Sequence, residues 1–180
     1  MRILLTGFEP FDGDDINSSQ ETVKAVACDE FEDIEVVKEI LPVSFKMAGI
    51  AICRLIDEIV PDIVILLGQS GKSDSSKGDN DGYIPDEETI CLRAPAAYFT
   101  KMPVKALRNG LMQSGIPAKV SNSAGLYVCN RTYFAALHHI ATTGRNTKVI
   151  FIHLPKISDE WSVGRLKMAI ELITKNIIRI

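Results

Sequence analysis

Residues 62–68 read "DIVILLG", five aliphatic side chains in a row between Asp62 and Gly68. Successive strand side chains point to opposite faces, so a strand of this composition is apolar on both. Only a central strand with helices above and below it buries both faces, which makes a parallel sheet the first expectation.

The same reading extends outward. "RILLTGF" (2–8), "IEVVKEILPV" (34–43), "AKVSNS" (118–123) and "VIFIHLP" (149–155) read as further strands, ending in turn residues. Helical spacing lies between them. Ser18 or Ser19 is positioned to cap a helix running to about Cys28. A second covers 45–60, with Ala48, Ile52, Leu55 and Ile59 on one face and Pro61 past its end. A third starts at Pro103 and stops at Gly115. A fourth starts near Cys129 and stops at Gly144, with Tyr133, Phe134, Leu137 and Ile140 or Ala141 on its core face. The last runs from about Ser158 towards Ile177. The alternation predicts one α/β domain over 1–180: three layers, a twisted and mostly parallel sheet, and helices on both faces. Sites in such folds open at the carboxyl ends of the strands.

The chain has 180 residues, 46% of them apolar, and a net charge of −3. Lys and Arg form no cluster, which argues against a nucleic-acid partner. No run approaches the roughly 20 apolar residues of a membrane span. The opening "MRILLTGF" enters a strand at once and lacks a signal-peptide layout, so a cytoplasmic location is expected. Cys28, Cys53, Cys91 and Cys129 are widely spaced and carry no metal signature. Cys28 and Cys53 read as helix-face filler. "GQSGKS" (68–73) superficially suggests a phosphate loop. That motif needs a glycine where Leu66 stands, and no apolar helix follows Ser73.

Cys129 closes the stretch "SNSAGLYVC" (121–129) and falls at a helix start, where the dipole favours a thiolate nucleophile. Such a thiol works with a base in hydrogen-bond reach. His138 and His139 would sit roughly 13–15 Å along the same helix, too far away. His153 stands near the carboxyl end of "VIFIHLP"; it is either a core histidine or the partner of Cys129. Phe8 and Phe11 fall in the loop after the first strand, as a staple onto the core or as walls of an apolar pocket.

Together these segments resemble the pyroglutamyl-peptidase I (pyrrolidone-carboxylate peptidase) family of cysteine peptidases. "GFEPFDGDDIN" (7–17) is similar to its N-terminal signature, "SNSAGLYVCN" (121–130) to its cysteine segment and "FIHLP" (151–155) to its histidine segment. "IPDE" (84–87) and "APAAYFTKMPVKAL" (94–107) match in order, and the likeness runs from Met1 to about Ile157. The resemblance implies a cysteine exopeptidase that hydrolyses the bond after an N-terminal pyroglutamyl residue through a Cys–His acyl-enzyme. Cys129 would be the nucleophile and His153 the general base. Phe8 and Phe11 would hold the pyroglutamyl ring, Gln69 would lie near its lactam, and Asn17 would brace the N-terminal loop. It implies no metal or organic cofactor, and a homo-oligomer, often a tetramer.

Two departures stand out. Ser18 occupies a position where the family usually has proline. The family also carries a glutamate that orients the histidine, in a segment after the glycine-rich loop, and no glutamate occurs between Gly68 and Pro85. The expectation is a missing segment between Ser70 and Lys77, near Asp74. A true deletion would instead put Asp74, Asp79 or Asp81 beside His153. The missing glutamate also supports an alternative, a catalytically inactive relative that binds pyroglutamyl peptides. A further alternative is a thiol amidase of different acyl specificity.

Overall fold

A computed structural model describes residues 1–27, 31, 33–71, 78–86 and 89–178. In chain order its elements are β1 (Arg2–Phe8), α1 (Ser18–Ala25), β2 (Glu35–Leu41), α2 (Met47–Ile59), β3 (Ile63–Gln69), α3 (Val104–Gln113), α4 (Val128–Thr143), β4 (Lys148–Leu154) and α5 (Val163–Ile178). The strands form one sheet in the order β2-β1-β3-β4, and every pairing is parallel. β3 is buried along its whole length, as its unbroken apolar run requires.

The period of two sorts the strand residues between two cores. Ile3 and Leu5 of β1, Ile63, Ile65 and Leu67 of β3 and Ile150 of β4 pack with α1, α3 and α5. Leu4 and Phe8, Val64 and Leu66, and Val149 pack on the other face with α2 and α4. Gly68 and His153 share the parity of this second set and are register partners, so they face the α2/α4 side.

Several sequence expectations need correction. Residues 118–123 are not a strand: Lys119, Ser121 and Asn122 leave Val120 without an apolar face to join, and Val120 is exposed. Serine turns shape the segment instead, with Ser123 N–H donating to Ser121 Oγ (3.3 Å) and Gly125 N–H to Ser123 Oγ (3.0 Å). Asn17, not Ser18 or Ser19, caps α1; its Oδ1 accepts from the backbone N–H (2.9 Å) and hydroxyl (2.7 Å) of Ser19. Cys28 lies outside the described residues. Ser162 rather than Ser158 leads into α5, its Oγ accepting from Arg165 N–H at 3.3 Å.

On α4 the buried stripe is Val128, Thr132, Ala136 and Ile140, with Tyr133 and Leu137 at its edge. Small side chains let α4 press against its neighbours: a Cβ on Gly49 of α2 would lie 3.3 Å from Ala135 Cβ. None of the described helices is long and apolar enough to cross a membrane.

Candidate active site

The carboxyl ends of β1, β3 and β4 and the amino end of α4 enclose a cavity of about 490 Å³. Phe8, Phe11, Asn17, Gln69, Cys129 and His153 all line it. Local structure accounts for each position. The turn before α4 ends at Tyr127, whose hydroxyl donates to Gly78 O (2.9 Å) and whose ring packs on Phe11 and Phe45 (centroids 5.9 and 5.2 Å). That anchor sets where α4 begins and puts Cys129 in its first turn, among N–H groups that have no partner within the helix.

Cys129 Sγ turns towards the sheet. An added Cβ on Gly68 would lie 2.9 Å from it. His153, register partner of Gly68, packs its ring tilted against Phe151 (centroids 4.9 Å, 54° between planes). Burial pushes the Cys129 thiol up to about 12; its own backbone N–H acts more weakly the other way. His153 stands exposed at the cavity wall, and partial loss of water lowers its imidazole below its ordinary value. The helix start therefore does not by itself yield a thiolate: loss of water outweighs the backbone N–H.

Phe8 is the last residue of β1, not a loop residue, and at 2% exposure belongs to the core. Phe11 does lie in the loop, half-buried against Tyr127. Asn17 ties the loop back by donating Nδ2–H to Glu9 O (2.9 Å). Gln69 is engaged at both ends: its Oε1 accepts the Ser18 N–H (2.8 Å), and its Nε2 donates to Asp14 Oδ2 (3.3 Å). A proline at position 18 would supply no such N–H. His138 and His139 are used elsewhere. His138 pairs with the Tyr98 hydroxyl (2.7 Å) and His139 with Asp57 (2.9 Å).

Residues 72–77, including Asp74 and most of the stretch where the missing segment was expected, lie outside the described residues. Asp79 and Asp81 do not accompany His153. The Asp79 carboxylate accepts from the N–H groups of Phe45, Asp81 and Tyr83 (2.7, 3.0 and 2.9 Å), and Asp81 accepts from Ser44 Oγ (2.7 Å). Among the lining residues that the sequence did not single out are Tyr127, Asp14 and Lys156. Tyr127 stands two residues before Cys129 and Lys156 three after His153. Lys156 Nζ meets Asp14 Oδ2 at 2.5 Å, joining the N-terminal loop to the segment after β4.

A thiol and an imidazole in one cavity, at the carboxyl ends of a parallel sheet, are the layout of an α/β thiol hydrolase. The family model for pyroglutamyl peptidase matches residues 1–178. The chain belongs to that family. It is 43% identical to the pyrrolidone-carboxylate peptidase of Thermococcus onnurineus, over 97% of this chain and 94% of the relative. With that of Thermococcus kodakarensis the identity is 44%, over 98% and 92%. The crystal structure of Bacillus amyloliquefaciens pyroglutamyl peptidase I superposes with a TM-score of 0.92 at 28% identity, covering 99% of this chain and 97% of that one. The Pyrococcus furiosus pyrrolidone carboxyl peptidase E192V variant gives 0.92 at 33%, over 99% of both. The alignment with the T. onnurineus relative spans 189 residues, more than the 180 of this chain, so that relative carries residues this chain lacks.

Proposed function

We propose that the protein is a cysteine exopeptidase that removes an N-terminal pyroglutamyl residue from peptides, with Cys129 as nucleophile and His153 as general base. The observation that carries this reading is the meeting of Cys129, His153 and Phe11 in one cavity of a pyroglutamyl-peptidase-family chain.

The substrate's first residue is an uncharged lactam. The cavity offers it the Phe11 ring and the side chain of Val43 as apolar walls. Gln69 uses its Oε1 for Ser18, which leaves the second Nε2 hydrogen to donate to the lactam carbonyl. Asn17 braces the loop that carries Phe11.

With both groups neutral at rest, His153 takes the thiol proton as Sγ attacks the carbonyl that follows the ring. First-turn N–H groups of α4 receive the developing oxyanion. The intermediate collapses as the imidazolium protonates the leaving amine, leaving a thioester. Water, deprotonated by His153, then releases pyroglutamate.

The expected partners are peptides with N-terminal pyroglutamate. Self-association, as a tetramer by family resemblance, is supported by Leu92 and Phe99, which stand 80% and 89% exposed. A cytoplasmic location is supported by free thiols at Cys53, Cys91 and Cys129. A panel of acyl-aminocoumarins tests the function. The reading expects release from the pyroglutamyl derivative alone. Binding without release would favour an inactive relative, and release from a different acyl group would favour another amidase.

A further inference from the structure

β3 is aliphatic from Ile63 to Leu67 and then loses its side chain at Gly68, beside the cavity. Glycine weakens a strand and often marks a close approach. The approach here is to the reactive thiol. A Cβ at Gly68 would lie 2.9 Å from Cys129 Sγ and 2.8 and 3.0 Å from Cζ and Cε1 of Phe151. Sulfur and ring thus meet over one bare stretch of backbone. The same ring packs on the His153 imidazole at 4.9 Å and on Tyr133 of α4 at 5.7 Å. Among the described residues His153 makes no side-chain hydrogen bond, so ring packing is the contact that orients it.

We propose that Gly68 and Phe151 are positioning residues of the reaction: the bare backbone at Gly68 seats Cys129 Sγ, and the Phe151 ring sets the His153 imidazole beside it. The inference rests on Cys129 being the nucleophile and His153 the base. Both residues act through those groups and neither touches the bond that is cleaved. An added methyl at Gly68 is resisted by the sheet, since β3 is still paired there with β4, although its pairing with β1 ends at Leu66. It must displace the sulfur, the ring or both. Misplacement of a reacting group on the order of 1 Å costs about a hundredfold in rate.

The test compares the full-length parent with Gly68→Ala, Phe151→Leu, the double variant and Cys129→Ser. The readouts are kcat and KM on pyroglutamyl-aminocoumarin, the rate at which iodoacetamide alkylates Cys129, and the melting temperature. Each single positioning variant is expected to lose about ten- to a hundredfold in kcat with KM little changed. Gly68→Ala should also change the alkylation rate. In the double variant the two ring contacts with the new methyl disappear, so the melting temperature recovers relative to Gly68→Ala while kcat stays low. A merely structural role would restore kcat together with stability, and that result overturns the proposal. So do parental kcat and alkylation in both single variants while Cys129→Ser is inactive; the nucleophile assignment then survives. Turnover retained by Cys129→Ser removes that assignment and the proposal with it. If Gly68→Ala does not fold, Phe151→Leu decides: lost kcat with a folded protein supports the proposal, and unchanged kcat overturns it.

Discussion

Cys129 and His153 share one cavity, yet no hydrogen bond joins them among the described residues. With the thiol pushed up to about 12 and the imidazole lowered, the resting pair is neutral thiol and neutral imidazole. Burial disfavours each charged form, and the two charges would have to appear together. Alkylation of Cys129 in the free enzyme should therefore be slow at pH 7 and rise steadily through pH 9, with no plateau at or below neutrality. Turnover should fall on the acid side only below the ordinary histidine range, since the base is neutral above its lowered pKa. Iodoacetamide kinetics against pH, with peptide mapping, check this. A plateau near pH 6 would mean a resting ion pair instead.

Phe8 and Phe11 should separate cleanly. Phe8→Ala empties a core site and should cost about 3–5 kcal/mol of stability. Phe11→Ala removes a half-buried ring that packs on Tyr127 and should chiefly raise KM, with a small loss of stability. Denaturant melts beside steady-state kinetics test the pair, and equal effects on both readouts for the two variants would count against the division.

How the sequence reveals these features follows from their physics. The strand "DIVILLG" was legible because burial on both faces demands an unbroken apolar run, and the placement of Cys129 and His153 at one cavity because each stands at an element boundary in such a sheet. "AKVSNS" misled because β-branched Val120 mimics a strand residue when its neighbours are not weighed. The α1 cap was misread by one or two residues because Asn17, Ser18 and Ser19 are all good caps and only geometry selects among them. The raised thiol was not legible, since local sequence signals the helix start but not the loss of water imposed by β3. The constraint on Gly68 was not legible, because it comes from Cys129 and Phe151, both distant in the chain.

Val60 ends α2 in the left-handed conformation (φ +50°, ψ +57°) and is 57% exposed. A β-branched residue is strained there, and glycine is the usual occupant. Val60→Gly should stabilise the protein by about 1 kcal/mol, the relief of strain exceeding the entropy gained by the unfolded chain. Thermal unfolding measures it, and a lower melting temperature would contradict the account.

Asp57 on α2 accepts from His139 Nε2 (2.9 Å) and Arg145 Nη2 (2.6 Å), tying α2 to α4 and the turn after it. The hydrogen bond from His139, and then that from Arg145, hold its carboxyl below the usual value. A carboxylate lowered in the folded state stabilises above its unfolded pKa and loses that contribution as pH falls through the folded one. Asp57→Asn should thus melt below the parent at pH 7, and the gap should close as pH falls through the lowered carboxyl pKa. A gap that persists in acid would assign the effect to packing rather than charge.

The central claim is that the acyl group passes through Cys129. Mixing the full-length protein with an activated pyroglutamyl ester, quenching in acid and mapping the peptides tests it most directly. The account predicts that the peptide bearing Cys129 gains the mass of one pyroglutamyl group, and that Cys129→Ser shows no adduct. An adduct on Cys53 or Cys91, or an acylation burst that survives Cys129→Ser, would contradict it.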